Sequence, residues 1–208
     1  MKRMKITFNL DGSGVYMYPY EPVHIDALLT MMTVPKKEFG IIGRNDIPKD
    51  YDLPLEKHFF GEDWVWAASA VRLFIKGESI QYWRKRFRQG RIELTKGSPN
   101  TGSGKYRDYN IPMPLLIADK AVSYAIGDIG KITKLFSNLK YLGKKTAYGK
   151  GRINSIIIEE IEDDFTIEKN GAYMRVLPVK NGPRYGRIRP PYWNITQRCR
   201  TNYVGDKI

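Results

Sequence analysis

Between positions 143 and 152 the chain places three glycines, four cations and a tyrosine: Gly143, Lys144, Lys145, Tyr148, Gly149, Lys150, Gly151 and Arg152. Glycine reaches positive φ and tolerates close backbone approach, so amides in such a loop can face phosphate oxygens. The cations supply the countercharge, and Tyr148 offers a face on which a base can stack. The alternative is an ordinary glycine turn carrying solvated lysines. A nucleotide-hydrolysing phosphate loop is excluded, because no Gly-Lys pair precedes Ser or Thr. Gly127 to Thr133 has glycines at the wrong spacing for that role and reads as a helix start.

A second candidate interleaves rings and cations: Tyr82, Trp83, Arg84, Lys85, Arg86, Phe87 and Arg88. That mixture suits a single strand of nucleic acid, with charge tracking the backbone and rings taking bases. On a β-strand, Tyr82, Arg84, Arg86 and Arg88 would share a face. A solvated charged face or a protein-contact surface has the same composition. Arg184, Arg187, Arg189, Arg198 and Arg200 near the C-terminus can serve as a clamp or a subunit contact, while Tyr192 and Trp193 fit a core.

For catalysis the inventory is thin. His24, near the start of a predicted helix, is the one candidate general base for a metal-independent ribonuclease. His58, between Lys57 and Phe59, is the weaker of the two histidines. Glu159, Glu160, Glu162, Asp163 and Asp164 form an acidic cluster without a diagnostic ligand spacing, so it reads as a solvated strand end and no metal is expected. No cofactor is expected either.

The chain has 208 residues, 42% of them apolar, with 35 basic against 22 acidic side chains and a net charge of +13. Such an excess points to a polyanionic partner, with nucleic acid first and an acidic membrane second. No run approaches the roughly 20 apolar residues of a spanning helix. MKRMKITFNL is a poor signal peptide because polar residues break its apolar stretch. The single Cys199 excludes an internal disulfide and a cysteine-based zinc site, so the expected setting is cytoplasmic.

The elements that must position these residues can be read in part. Met4, Ile6, Phe8 and Leu10 alternate with Lys5, Thr7 and Asn9, as in a half-buried strand closed by the turn residues 11–14. Ile25, Leu28, Leu29 and Met32 form one face of a helix ended by Pro35. Residues 35–62 read as loop, and Trp64 to Phe74 as either strand or buried helix. From Tyr82 to Arg107 one acid, Glu93, faces eight cations, Arg91 and Lys96 among them, around the turn-forming GSPNTGSGK. This is a protruding hairpin or loop. Val122, Tyr124 and Ile126 mark a strand, Asp128 caps a helix to about Lys140 with Ile132, Leu135, Phe136 and Leu139 as its stripe, and INSIIIEEIE is a strand. The segment from Arg175 to Arg200 is too proline-rich for a central element. The order fits a single α+β domain, 1–208, with a ferredoxin-like sheet carrying helices on one face.

HIDALLTMM, DLPLEKHFF, WVWAASAVRL, YWRKRFR and LGKKTAYGKGRI, in that order over residues 4–161, resemble the small RAMP subunit of type IV CRISPR effector complexes. LGKKTAYGKGRI by itself is similar to the glycine-rich loop of the wider RAMP superfamily. The resemblance implies a modified ferredoxin-like or RNA-recognition (RAMP) fold with an extruded basic β-hairpin thumb at 82–112 and a basic tail at 175–208. It implies a non-catalytic protein that grips the 5′ handle of a guide RNA and caps a filament of backbone RAMP subunits, with large and small subunits as further partners and the target nucleic acid only indirectly. Two alternatives stand beside it: a metal-independent RAMP endonuclease using His24, and a generic basic RNA- or DNA-binding protein.

Overall fold

The computed structural model describes residues 1–18, 20–35, 46, 50–88, 100–196 and 198–208. Arg91, Glu93, Lys96 and the Gly97–Pro99 part of the predicted hairpin tip lie outside the described residues, as does most of 36–49.

A five-stranded antiparallel sheet organises the chain. Strand β1, Lys2–Leu10, lies between β6, Tyr109–Gly127, and β7, Ile153–Glu160. Strand β5, Arg72–Lys85, takes the other edge of β6. The short β2, Val15–Tyr16, pairs with Leu115 and Leu116 of β6. Leu116 also pairs with Glu78 of β5, so β2 must continue the β1 side of β6 after the turn at 11–14. Helix α1, Ile25–Thr33, follows β2, and α2, Ile129–Phe136, joins β6 to β7. Omitting β2, the order β7–β1–β6–β5 and the strand–helix–strand–strand–helix–strand sequence are compatible with a ferredoxin-like arrangement.

The predicted alternation of β1 is observed. Met4, Ile6, Phe8 and Leu10 are buried with Ile25, Leu28, Leu29, Ile132 and Phe136, which places both helices on one sheet face. Asp128 caps α2 as expected, its carboxylate accepting the Lys131 N–H at 3.0 Å. The helix ends at Phe136, short of the predicted Lys140, although Leu139 still reaches the core from the following turn. Val122 and Tyr124 pack on the opposite face against Met174.

Two readings change. The segment read as loop contains β3, Lys57–Phe60, which turns at Gly61 (φ 62°) into β4, Asp63–Trp66. The ambiguous stretch from Trp64 is extended throughout. Ala67, Ala68, Ser69 and Ala70 are fully buried small residues lying along β6, with the Ser69 N–H donating to the Tyr124 carbonyl at 2.8 Å.

The tail folds back onto the domain through the short β8, Glu168–Lys169, β9, Ala172–Tyr173, β10, Arg184–Arg187, and β11, Arg198–Thr201, none of which joins the main sheet. Its anchor is Arg175, fully buried and 3.3 Å from the equally buried Asp26 of α1. The Arg175 guanidinium also donates to the carbonyls of Trp66, Ala68 (2.7 Å), Val176 (3.3 Å) and Ile188 (2.9 Å). The Tyr192 hydroxyl donates to both Asp26 oxygens at 3.0 Å. Burial raises the Asp26 carboxyl, while Arg175 and Tyr192 oppose that rise. Tyr192 itself is pushed well above 10 by burial and by the Asp26 charge, so it stays a donor.

Removing one member of a buried ion pair costs about 3–5 kcal/mol. We expect Arg175→Met to lose stability on that scale in urea denaturation. Adding Asp26→Leu should not restore it, because the four carbonyls remain without their donor. Recovery to wild-type stability would mean that the carbonyl contacts contribute nothing.

Candidate nucleic-acid interface

Turn chemistry shapes the glycine loop. Gly143, Gly149 and Gly151 adopt φ of 91°, 73° and 73°, and Lys145 sits at φ 57° ahead of a single 3₁₀ turn, Thr146–Tyr148. A Cβ on Gly151 would lie 1.9 Å from the Leu142 carbonyl, and one on Gly143 would lie 2.5 Å from Val15. These two glycines let the loop press against its own stem and against β2. Gly149 has open space around it and needs only the backbone freedom.

Several of the loop amides are used within the chain. The amide of Lys144 donates to Tyr16 (2.8 Å), Gly151 to Gly14 (2.7 Å), Tyr148 to Lys145 (3.0 Å) and Gly149 to Thr146 (2.9 Å). Those four donors are committed within the chain, and the cationic side chains stand beside them. Arg152 and Tyr148 are exposed, Tyr148 by 59%. Lys150 donates to the Ser13 carbonyl at 2.8 Å, holding its ammonium over the turn after β1.

The structure joins the two sequence candidates. Lys145 places its ammonium 3.1 Å from the centroid of the Trp83 ring on β5, and Trp83 lies 4.9 Å from Tyr109 on β6. The Tyr16 hydroxyl donates to Gln81, tying β2 to the same arm. On its other side Lys144 forms an ion pair with Glu21 at 2.5 Å and lies 4.4 Å over Tyr18, which stacks on Tyr20 at 5.6 Å. Loop and arm thus present one continuous surface of rings and cations.

The arm is the outer half of the β5–β6 hairpin. Tyr82 and Arg84 share a face, with the guanidinium 5.3 Å over the ring and its Nε donating to Asn110 at 2.9 Å. The predicted grouping stops there: the last pair is Lys85 with Tyr109, so Arg86 and Arg88 lie beyond the strand, both exposed. Lys85 donates to the Lys105 carbonyl at 2.6 Å. Pro112 and Pro114 lack the N–H that a further strand would need, and pairing of β2 with β6 stops at Leu115. The arm therefore projects as a two-stranded ribbon.

His24 is 2% exposed and stacks on Tyr192 at 5.0 Å. Its Nε2 accepts the Val176 N–H at 3.3 Å, which occupies the lone pair a general base would use. Burial, then the charges of Arg175 and Arg184, hold its pKa well below 6.5, against a hydrogen bond to the Pro22 backbone. His58 Nε2 lies 2.9 Å from the Thr166 hydroxyl and 3.5 Å from Asp164. In the acidic cluster, Glu160 and Glu159 pair with Lys2 (2.6 Å) and Lys5 (3.2 Å), and no metal-type grouping of three ligands occurs among the described residues.

Each of the five tail arginines has a partner within the chain, while Arg198 and Arg200 remain exposed. Arg184 donates to the Tyr20 carbonyl, Arg187 to that of Asn194 at 2.6 Å, Arg189 lies 4.4 Å over Trp64, and Arg198 and Arg200 lie over Tyr185. Tyr192 belongs to the buried network, whereas Trp193 is 42% exposed and is not core. Sequence reading missed Tyr16, Tyr18, Gln81 and Tyr109. The density of tyrosines at 16–20 was the available signal.

Two outcomes are expected from these contacts. Gly151→Ala should unfold the loop and sharply lower the melting temperature, whereas Gly149→Ala should cost only about 1–2 kcal/mol for its left-handed backbone. The His24 pKa is lowered on folding, so its stabilising contribution is full above the unfolded value near 6.5 and is lost as pH falls below it. Denaturation at pH 7.5 and 5.5 should differ by about 1.4 kcal/mol in all, the lower pH being the less stable, and the difference should shrink in His24→Gln.

A family model described as CRISPR type IV associated protein Csf3 matches residues 2–203. The match extends past the 4–161 range in which the sequence motifs lie and takes in most of the tail. No curated protein matches the chain.

Proposed function

The chain belongs to the family of the CRISPR type IV associated protein Csf3, and on that premise we propose that it is a non-catalytic RNA-binding subunit of a CRISPR ribonucleoprotein. It holds the single-stranded 5′ handle of the guide RNA and caps one end of the filament of backbone subunits. The observation that carries this reading is the Lys145–Trp83 contact, which joins the glycine loop and the arm into one basic, aromatic surface. Cations that track phosphates beside rings that accept unpaired bases suit a single strand better than a duplex. The two-stranded arm acts as the thumb that meets the neighbouring backbone subunit. Ile80 and Tyr82 on β5 are 62% and 52% exposed, and Ile111 on β6 is 38% exposed, which gives that contact an apolar component.

The proposal is tested by purifying the protein after co-expression with its genomic neighbours and sequencing the small RNA that accompanies it. RNAs with one fixed 5′ end followed by variable sequence are expected. Protein that came alone, or with random fragments, would falsify handle binding. Replacing Lys144, Lys145 and Lys150 by Ala should flatten the log–log salt dependence by about 2, at roughly 0.7 per phosphate contact.

A further inference from the structure

A cleft of ≈ 970 Å³ opens between the segment leading into α1, the glycine loop and the tail. Four rings stand on its walls while still partly in solvent: Tyr20 (55% exposed), Tyr185 (56%), Trp193 (42%) and Tyr203 (38%). Their neighbours are cations. Arg184 lies 4.8 Å over Tyr203 and donates to the Tyr20 carbonyl, and Arg200 lies 4.9 Å over Tyr185. Lys144 reaches the cleft from the glycine loop, paired at 2.5 Å with Glu21, the one acid on the lining. Toward the interior the lining is Val176 and His24, the latter committed to the Val176 amide.

This lining has a chemical meaning. Partly solvated rings gathered around one concavity mark a binding site more often than idle surface. Arginines stacked on Tyr203 and Tyr185 hold those rings in place before any ligand arrives, so little ordering is left to be done on binding. Rings with adjacent cations match a flat base joined to a phosphate, and the cleft continues from the loop surface through Lys144.

We infer that the cleft receives one unstacked nucleotide of the bound single-stranded RNA, which rests on the RNA-binding reading above. The base lies against Tyr185, Tyr203 and Trp193, and its phosphate takes Lys144 from Glu21 and contacts Arg184. The strand therefore passes from the arm, over the glycine loop, and turns into the tail, which makes the tail part of the RNA site as well as a structural wrap.

The test uses the full chain and a set of RNAs of roughly eight nucleotides, within the usual site size, each carrying a single fluorescent 2-aminopurine at a different position. Wild-type protein should quench the fluorophore strongly at one position. In Tyr185→Ala/Tyr203→Ala that quench should disappear and affinity should fall at least about fivefold, with the salt slope kept because no cation is removed. Both side chains are exposed, so an unchanged melting temperature confirms folding, and Trp193→Ala provides an independent variant. Wild-type affinity and quench in both variants, with weakening by Trp83→Ala, would overturn the cleft and leave the RNA-binding reading standing. Equal quenching at every position would also overturn the cleft. Failure of the wild-type protein to bind any of these RNAs would overturn both.

Discussion

The buried pair of Asp26 and Arg175 is the constraint on which the rest of the molecule depends. Two fully buried charges lose several kcal/mol each in desolvation, and their attraction alone does not offset that. Here the deficit is met by neighbours: four carbonyls and Tyr192 on the arginine, Tyr192 and the Ala27 amide on the aspartate. Such a network is satisfied in one arrangement only. It requires α1, the 66–68 strand segment and the tail to meet at one point, and so it decides where residues 174–204 run.

Because the tail is held there, both faces of the sheet are covered. The helices take one face through Met4, Ile6 and Phe8, and Met174 and Phe165 take Val122 and Tyr124 on the other. The long β6 extends beyond this covered region, and its outer half continues with β5 as an exposed ribbon. A single 19-residue strand thus serves both the core and the projecting ribbon. The glycine loop meets the ribbon at Trp83 of β5, where Lys145 gains a cation–π contact of about 0.5–1 kcal/mol.

The surface that results is built from weak, separately exposed contacts, in contrast to the network beneath it. Lys144 chooses between Glu21 and Tyr18, and Lys145 is held by one ring. Such cations can exchange partners for a phosphate at little cost, since exposed ion pairs contribute about 0–1 kcal/mol. Rigid positioning below and exchangeable charge above are what a site for a flexible polyanion requires.

Local pattern was enough for what depends on neighbours in sequence. The period of two in β1, the apolar face of α1, the Asp128 cap and the positive φ of the glycine loop follow from side-chain spacing and backbone sterics. The excess of cations is legible for the same reason, since net charge is additive. Tertiary structure alone decided the rest. Lys57–Phe60 became a strand because it found β4, and the small residues 67–70 became extended because β6 lay beside them. The amides of Lys144 and Gly151 turned inward because Tyr16 and Gly14 supplied acceptors. Arg175 read as one more cation in a basic tail until its partner, Asp26, was brought to it across the fold. Contacts between distant residues depend on how the whole chain closes, and spacing along the sequence carries no record of that closure.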